Sequence, residues 1–158
     1  MVYLANVHHS QHPIEIGGND MGPWVRTYMS GQEGAGESWC AGFASFIMLQ
    51  AATILGVTTP IATSVSCTNL AHEAQSKECF LAGADIINNK SYDKIKLGSL
   101  ILFKEGNGWH HTGIVIDVNN DGTLSTIEGN TNGNGSNDGY EVYKHVREIS
   151  IDTDFAIM

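Results

Sequence analysis

The apolar residues of this chain follow a helical period in its first half. After Gly36 they recur at steps of three and four residues, at Phe43, Phe46, Ile47, Ala51 and Ile54. This spacing predicts a helix with one buried face. Ser38 stands just before the pattern, so it is the expected N-cap of that helix.

Two shorter helices are predicted on either side of this one. A turn-rich segment at residues 17–22 leads to Pro23, which is tolerated in a first helical turn, and the residues after it supply an apolar side. That apolar side consists of Trp24, Val25, Tyr28 and Met29. A weaker pattern over residues 70–81 predicts another helix, which ends near Gly83.

The N-terminal segment, residues 1–16, shows little periodicity. It carries His8, His9 and His12, and three histidines this close together are able to bind a metal. No carboxylate or cysteine is clustered with them, so we expect a solvated or loosely packed arm.

From residue 97 the period becomes that of strands. Short β-branched or aromatic runs, separated by Gly, Asn and Asp, occupy residues 100–103, 111–118, 124–128, 140–146 and 155–158. Helices followed by strands predict an α+β domain with a mostly antiparallel sheet. The Gly- and Asn-rich residues 129–139 lie between two of these strands and are expected to form a loop beside the functional site.

Length and composition narrow the class of protein. A chain of 158 residues with 42% hydrophobic residues has the size of one domain, residues 1–158. Its net charge of −9 argues against nucleic acid and anionic membranes as partners. No apolar run is long enough to span a membrane, and the N-terminus lacks the basic and apolar blocks of a signal peptide.

Cys40 is the first candidate for chemistry, because the predicted helix places it in a first turn. Unpaired backbone N–H groups and the positive end of the helix dipole favour a thiolate there. This stretch taken alone fits a small buried cysteine of the core equally well. Cys67 and Cys79 have no comparable neighbours in the sequence, and whether they pair with each other is left open.

A predicted hairpin supplies partners for this cysteine. If the turn is centred on Asn120 and Asp121, His111 lies opposite Asn130 and Gly113 lies opposite Glu128. Glu128 and Asn130 then share a face with His111, within about 5 to 8 Å at Cβ, and Gly113 leaves space beside the histidine. Cysteine, histidine and an orienting polar residue form the arrangement used for nucleophilic acyl transfer.

The same segment matches the pattern of an EF-hand calcium loop. Asp117 begins the match, Gly122 holds its central position and Glu128 ends it. An EF-hand requires a helix on each side, whereas a strand pattern precedes this segment and a Gly- and Asn-rich run follows it. We therefore expect no metal and no other cofactor.

Several motifs, taken in chain order, resemble the CHAP domain, the cysteine- and histidine-dependent amidohydrolases and peptidases of the papain-like superfamily. The motifs occupy residues 18–23, 39–43, 98–103, 111–115 and 127–130. The resemblance implies a papain-like fold with N-terminal helices packed on the sheet. It makes Cys40 the nucleophile, His111 the general base, Glu128 the residue that orients the histidine and Asn130 an assisting group. His111 is preferred to His110 because it directly precedes the Thr-Gly-Ile-Val run.

The sequence also departs from the family pattern. Many members carry Gln where this chain has Trp39, so the second oxyanion donor is left open, while the backbone N–H of Cys40 remains available. The acidic calcium loop of some members is not carried over. We expect Trp39 and Trp109 to line a substrate groove.

The resemblance implies a peptidoglycan hydrolase that cleaves an amide bond, either as an N-acetylmuramoyl-L-alanine amidase or as a stem or cross-bridge endopeptidase. Two alternatives stay open: an NlpC-type or other papain-like amidohydrolase on a small peptide conjugate, and a catalytically silent wall-binding or structural module. We expect a monomer that acts on the cell wall or in the periplasm after phage-type release or injection, or as part of a longer protein. An immunity or inhibitor protein is a further candidate partner.

Overall fold

Helices occupy the first half of the chain and strands dominate the second half. The computed structural model describes residues 1–34, 36–119 and 121–158. The helices are α1 (Val2–Ser10), α2 (Pro23–Tyr28), α3 (Cys40–Leu55), α4 (Cys67–Ser76) and α5 (Gly83–Asn89). The strands are β1 (Phe80–Leu81), β2 (Leu100–Glu105), β3 (Gly108–Val118), β4 (Thr123–Thr131), β5 (Glu141–Glu148) and β6 (Thr153–Ala156). A 3₁₀ turn covers Tyr92–Lys94. The expected α+β fold is confirmed.

The strands form one antiparallel sheet of six strands in the order β1-β6-β2-β3-β4-β5. Successive side chains of a strand point to opposite faces, so the sheet carries two apolar clusters. One cluster packs against α3 and α4 and includes Leu100, Leu102, Ile114 and Ile127. The other packs near α5 and includes Ile101, Val115, Leu124 and Phe155. Cys40, His111 and Glu128 lie on α3, β3 and β4, which pack against one another.

Helix α3 crosses the core with an apolar first turn. Its N-cap residue is Trp39 and not Ser38, and no side chain caps the N-terminal N–H groups. Gly42 permits close approach to α2, since a Cβ there would lie 2.7 Å from the carbonyl oxygen of Tyr28. The start of α3 is thus held in place by packing and keeps its backbone donors free of a side-chain cap.

Three expectations for the first half of the chain need correction. Residues 2–10 form helix α1 and not a loose arm, because Ala5 and His8 are buried and the His8 ring meets the hydroxyl of Tyr28 at 2.9 Å. Helix α4 begins at Cys67 and not at residue 70, because the side chain of Ser66 accepts a hydrogen bond from the Asn69 N–H. It ends at Ser76, after which β1 follows.

In the described residues, no helix combines the length and apolar character of a membrane span.

Gly129 lies where β4 packs closely against the start of α3, and this close packing leads to a stability prediction. A Cβ at this position would lie 2.7 Å from Cβ of Phe43 and 2.9 Å from the Trp39 ring. Gly129→Ala should therefore destabilise the protein by about 1–3 kcal/mol through overpacking. Chemical denaturation followed by circular dichroism measures this. The matched control is Gly133→Ala, whose Cβ would have the Tyr143 ring as its nearest neighbour, at 3.5 Å. Equal stabilities of the two variants would contradict the prediction.

Candidate active site

Cys40 is the first residue of α3, and its sulfur is screened from bulk water. Its exposed fraction is 2%. The Cys40 Sγ lies 3.5 Å from the Sγ of Cys67 and 4.0 Å from the carbonyl oxygen of His110. It therefore sits between the first turns of α3 and α4 and the backbone of β3. Cys67 was not predicted to lie here.

His111 projects from β3 and is completely buried. Its Nε2 lies 2.8 Å from Oε2 of Glu128, and its Nδ1 has no hydrogen-bond partner among the described residues. The ring packs against Phe103, with ring centroids 5.5 Å apart. Because Glu128 binds Nε2, Nδ1 remains available to exchange a proton with the Cys40 sulfur.

Glu128 is also completely buried, and within the described residues its carboxylate is bound by His111, Thr126 and Arg147. Thr126 donates its hydroxyl to Oε1 at 2.6 Å. Arg147 donates Nε to Oε1 at 2.8 Å and a terminal nitrogen to Oε2 at 2.5 Å. This two-point contact fixes the plane of the carboxylate as well as its charge. The guanidinium of Arg147 in turn lies 5.1 Å over the Phe103 ring.

These contacts set the charge states of the site. The hydrogen bond with Cys67, against the opposing effect of burial and together with the His111 imidazole, holds the pKa of the Cys40 thiol well below its usual value. Burial lowers the pKa of His111, but Cys40 and Glu128 outweigh it and raise the pKa to about 9. Burial raises the pKa of Glu128, but Arg147 and His111 outweigh it and lower the pKa to about 2. These shifts favour a thiolate–imidazolium pair beside an ionised carboxylate.

The expected hairpin register holds beside the site and changes toward the turn. Ile114 pairs with Ile127 and Val115 with Thr126, as expected, but a bulge shifts the pairing beyond them. Asn120, on which the expected turn was centred, lies outside the described residues. Gly113 does pack against Glu128, but a Cβ there would overlap its side chain, so Glu128 fills the space that was expected to stay open.

Asn130 is not in the position that the register predicts for it. A bulge interrupts the β4–β5 ladder between Glu128 and Thr131, and Asn130 has a φ of 54°. This conformation breaks the two-residue alternation that was expected to turn Asn130 toward the histidine. Its Nδ2 donates instead to Asp138 at 3.5 Å, and no hydrogen bond joins it to His111 in the described residues. Asn130 is fully buried, and among the described residues it makes no hydrogen bond with His111.

The two residues expected to line a groove, Trp39 and Trp109, lie in different surroundings. Trp39 is fully buried, stacks on Tyr28 and donates its indole N–H to Glu15 at 2.9 Å, so the groove assignment is wrong for Trp39. Trp109 is partly exposed and donates its indole N–H to Asp154 at 3.0 Å. Trp109 remains a candidate wall of the site, because it precedes His110 and His111 on β3.

Neither His110 nor the calcium pattern competes with this assignment. The Nε2 of His110 meets the side-chain amide of Asn137 at 2.9 Å, away from Glu128. The ends of the calcium pattern, Asp117 and Glu128, lie on strands β3 and β4, and the carboxylate of Glu128 is already held by His111 and Arg147. In the described part of the chain, no group of three histidine, cysteine or acidic residues is arranged to hold a metal.

Sequence reasoning missed two residues of the site, Arg147 and Cys67. Tyr143 pairs with Glu128, so the two side chains lie on the same face of the sheet. Residues 143, 145 and 147 share that face of β5, which places Arg147 on the side of Glu128. The signal for Arg147 was the need of a buried carboxylate for a cation. The signal for Cys67 was Ser66, an N-cap residue that would have moved the start of α4.

The chain has a cysteine at the start of a helix, beside a histidine and a carboxylate on an antiparallel sheet. This arrangement is that of a papain-like α+β protein, and its three side chains are those that a thiol hydrolase uses. Comparison with known families agrees with this class. The family model described as "CHAP domain" matches residues 32–130, which is more than half of the chain. The chain belongs to the CHAP domain family, whose members are generally hydrolytic cysteine enzymes. No curated protein gives a significant match.

Arg147 generates a prediction about acid stability. The pKa of Glu128 is about 2, below its usual value of 4.5, so the ionised carboxylate stabilises the fold above pH 4.5, and this stabilisation is lost as the pH falls toward 2. Arg147→Met removes the cation, so the pKa of Glu128 should rise and acid unfolding should begin at higher pH. Circular dichroism during acid titration measures the shift.

The chain offers a matched control in its other arginine, Arg26. Arg26 pairs with Glu33 at the surface, where the two side chains are 46% and 26% exposed, and exposed pairs contribute little to stability. Arg26→Met should leave the acid midpoint nearly unchanged. Identical acid midpoints for Arg26→Met and Arg147→Met would show that Arg147 does not hold the buried carboxylate.

Proposed function

We propose that this protein is a cysteine-dependent peptidoglycan hydrolase that cleaves an amide bond through an acyl-enzyme. The observation that carries the proposal is the continuous contact from Arg147 through Glu128 to His111, with Cys40 beside the imidazole. Such a contact chain serves a nucleophile that must be deprotonated at rest and a base that must hold and release one proton. The peptidoglycan substrate is supported by membership of the CHAP family.

The first half of the reaction uses the thiolate and the imidazolium. The Cys40 sulfur attacks the carbonyl carbon of the amide, and the carbonyl oxygen gains the negative charge of a tetrahedral intermediate. The backbone N–H of Cys40 lies in the uncapped first turn of α3 and is one donor for that oxyanion. His111 then gives its proton to the leaving amine, the C–N bond breaks, and a thioester remains on Cys40.

The second half reverses the proton flow. His111, now neutral, takes a proton from water, and the resulting hydroxide attacks the thioester carbon. The C–S bond breaks, a carboxylic acid is released and the thiolate is restored. Glu128 holds the ring orientation through both halves, because its oxygen stays bound to Nε2 and leaves Nδ1 as the nitrogen that exchanges the proton. Arg147 and Thr126 keep Glu128 itself from rotating.

Replacing the nucleophile tests the proposal directly. Cys40→Ala should lower the release of fragments from purified sacculi by at least about a thousandfold, because it removes the sulfur that attacks the amide and carries the thioester. Mass spectrometry of the products measures the loss and identifies the bond that is cut. Cys79→Ala is the control and should retain activity, since Cys79 is a partly exposed free thiol outside the site. The wild-type reaction should also proceed in EDTA; activity of Cys40→Ala, or no product from the wild type, would overturn the proposal.

Glu128 and Asn130 should contribute unequally. Glu128→Gln keeps a hydrogen-bonding group beside His111 but removes the charge that raises the pKa of the imidazole. The imidazolium should then be lost at lower pH and the thiolate should form at higher pH, so the pH–rate profile narrows and its maximum falls by about tenfold. Asn130→Ala should have a smaller effect, because Asn130 makes no hydrogen bond with His111 in the described residues and donates to Asp138 instead.

Activity in this comparison is expressed per folded molecule, since Glu128→Gln also leaves Arg147 without its buried counter-charge. Circular dichroism supplies the folded fraction of each variant. An unchanged pH–rate profile for Glu128→Gln, together with an inactive Asn130→Ala, would mean that Asn130 and not Glu128 serves the histidine.

A further inference from the structure

Two thiols meet at the proposed nucleophile, and only one of them has a role in the reaction described above. The sulfurs of Cys40 and Cys67 lie 3.5 Å apart, and both residues are buried, with exposed fractions of 2% and 6%. Cys40 begins α3 and Cys67 begins α4, so each sulfur stands at the positive end of a helix. The third cysteine, Cys79, lies elsewhere on the chain and is partly exposed.

The pair is expected to carry a single negative charge. Two thiolates at this distance would repel each other in a site that excludes water, so one sulfur keeps its proton when the other loses it. The His111 imidazole acts on Cys40, which makes Cys40 the sulfur that ionises. Cys67 then retains an S–H group, and its nearest sulfur acceptor is the charged Cys40.

We propose that Cys67 is a positioning residue of the active site, whose thiol donates a hydrogen bond to the Cys40 sulfur and holds that sulfur as the thiolate. The proposal rests on the proposed function, in which Cys40 is the nucleophile. The burial of Cys67 supports it, because a donor shielded from water acts more strongly on a charged acceptor. The pKa of Cys67 is raised, first by Cys40 and then by burial, as expected for the member of the pair that keeps its proton.

Hydrogen bonding at Cys67 can be separated from packing by two substitutions. Cys67→Ser keeps a donor, whereas Cys67→Ala removes it. The ultraviolet absorbance of the thiolate, taken as the difference between each protein and its Cys40→Ala counterpart under reducing conditions, reports the ionisation of Cys40. Cys67→Ala should raise the midpoint of that titration by about one pH unit, which is the size of a hydrogen bond to a charged group. Cys67→Ser should stay near the wild type.

Cys79→Ala is the matched control and should titrate like the wild type, because Cys79 does not contact Cys40. If Cys67→Ala does not fold, Cys67→Val applies the same test with a side chain that fills the space but donates nothing. A wild-type midpoint for Cys67→Ala or Cys67→Val would overturn the proposal, and so would a shift in Cys67→Ser equal to that in the variant without a donor.

The titration is independent of the substrate, so the two proposals can fail separately. If the Cys40 midpoint responds to Cys67 but sacculi are not cleaved, the proposed function is wrong and the inference about Cys67 stands. If sacculi are cleaved and the midpoint does not respond, the inference is wrong. In an active protein, the deficit of Cys67→Ala in kcat/KM should be about tenfold at acidic pH and should disappear above the shifted midpoint.

Discussion

The carboxylate of Glu128 is the group on which the rest of the site depends. It is fully buried, and isolated burial of a carboxylate would cost several kcal/mol. The cost is offset because Arg147 and His111 both contact it, and because Cys40 supplies the charge that balances the second cation. Four groups of alternating charge therefore sum to zero. Such an array tolerates burial as a whole, although none of its members would tolerate it alone.

The array forms at the point where the pairing between β3 and β4 ends. The ladder between β3 and β4 includes Ile114 with Ile127 and runs from there toward the turn. On the other side of that pair, His111 is paired with Phe103 on β2 and Glu128 with Tyr143 on β5. His111 and Glu128 thus lie on strand segments that are paired with different neighbouring strands. The start of α3 reaches the same place, because Gly129 lets Phe43 and Trp39 pack directly on β4.

The sequence predicted those parts of the site that local rules determine. A period of three and four residues placed Cys40 at a helix start, and a hairpin register brought His111 and Glu128 together. The hydrogen bond expected between Asn130 and the histidine is absent from the described residues, and a bulge and a φ of 54° interrupt β4 there. Gly129 and Asn130 are residue types that favour a bulge and a positive φ, but the expected register treated β4 as regular. Arg147 was missed because the long loop between β4 and β5 does not fix their register, as a two-residue turn would.

Cys67 illustrates a further limit. Its position follows from where α4 begins and from how α4 packs against α3, and the second of these depends on the whole core. An N-cap at Ser66 is readable in the sequence, but the direction in which the first turn of α4 points is not. The strand assignments succeeded for the opposite reason, since a period of two residues between turn signals is a local property.

Stability and the proposed chemistry draw on the same charges, and this coupling sets a pH range. Glu128 stabilises the fold above its usual pKa of 4.5 and loses that effect as the pH falls toward 2. His111 has a pKa raised from 6.5 to about 9, so its contribution is complete below pH 6.5 and is lost as the pH rises through 9. The contributions of Glu128 and His111 to stability are therefore both complete between pH 4.5 and pH 6.5. At neutral pH most of His111 is still charged, so the thiolate–imidazolium pair that the proposed reaction needs is also the charge state that the fold favours.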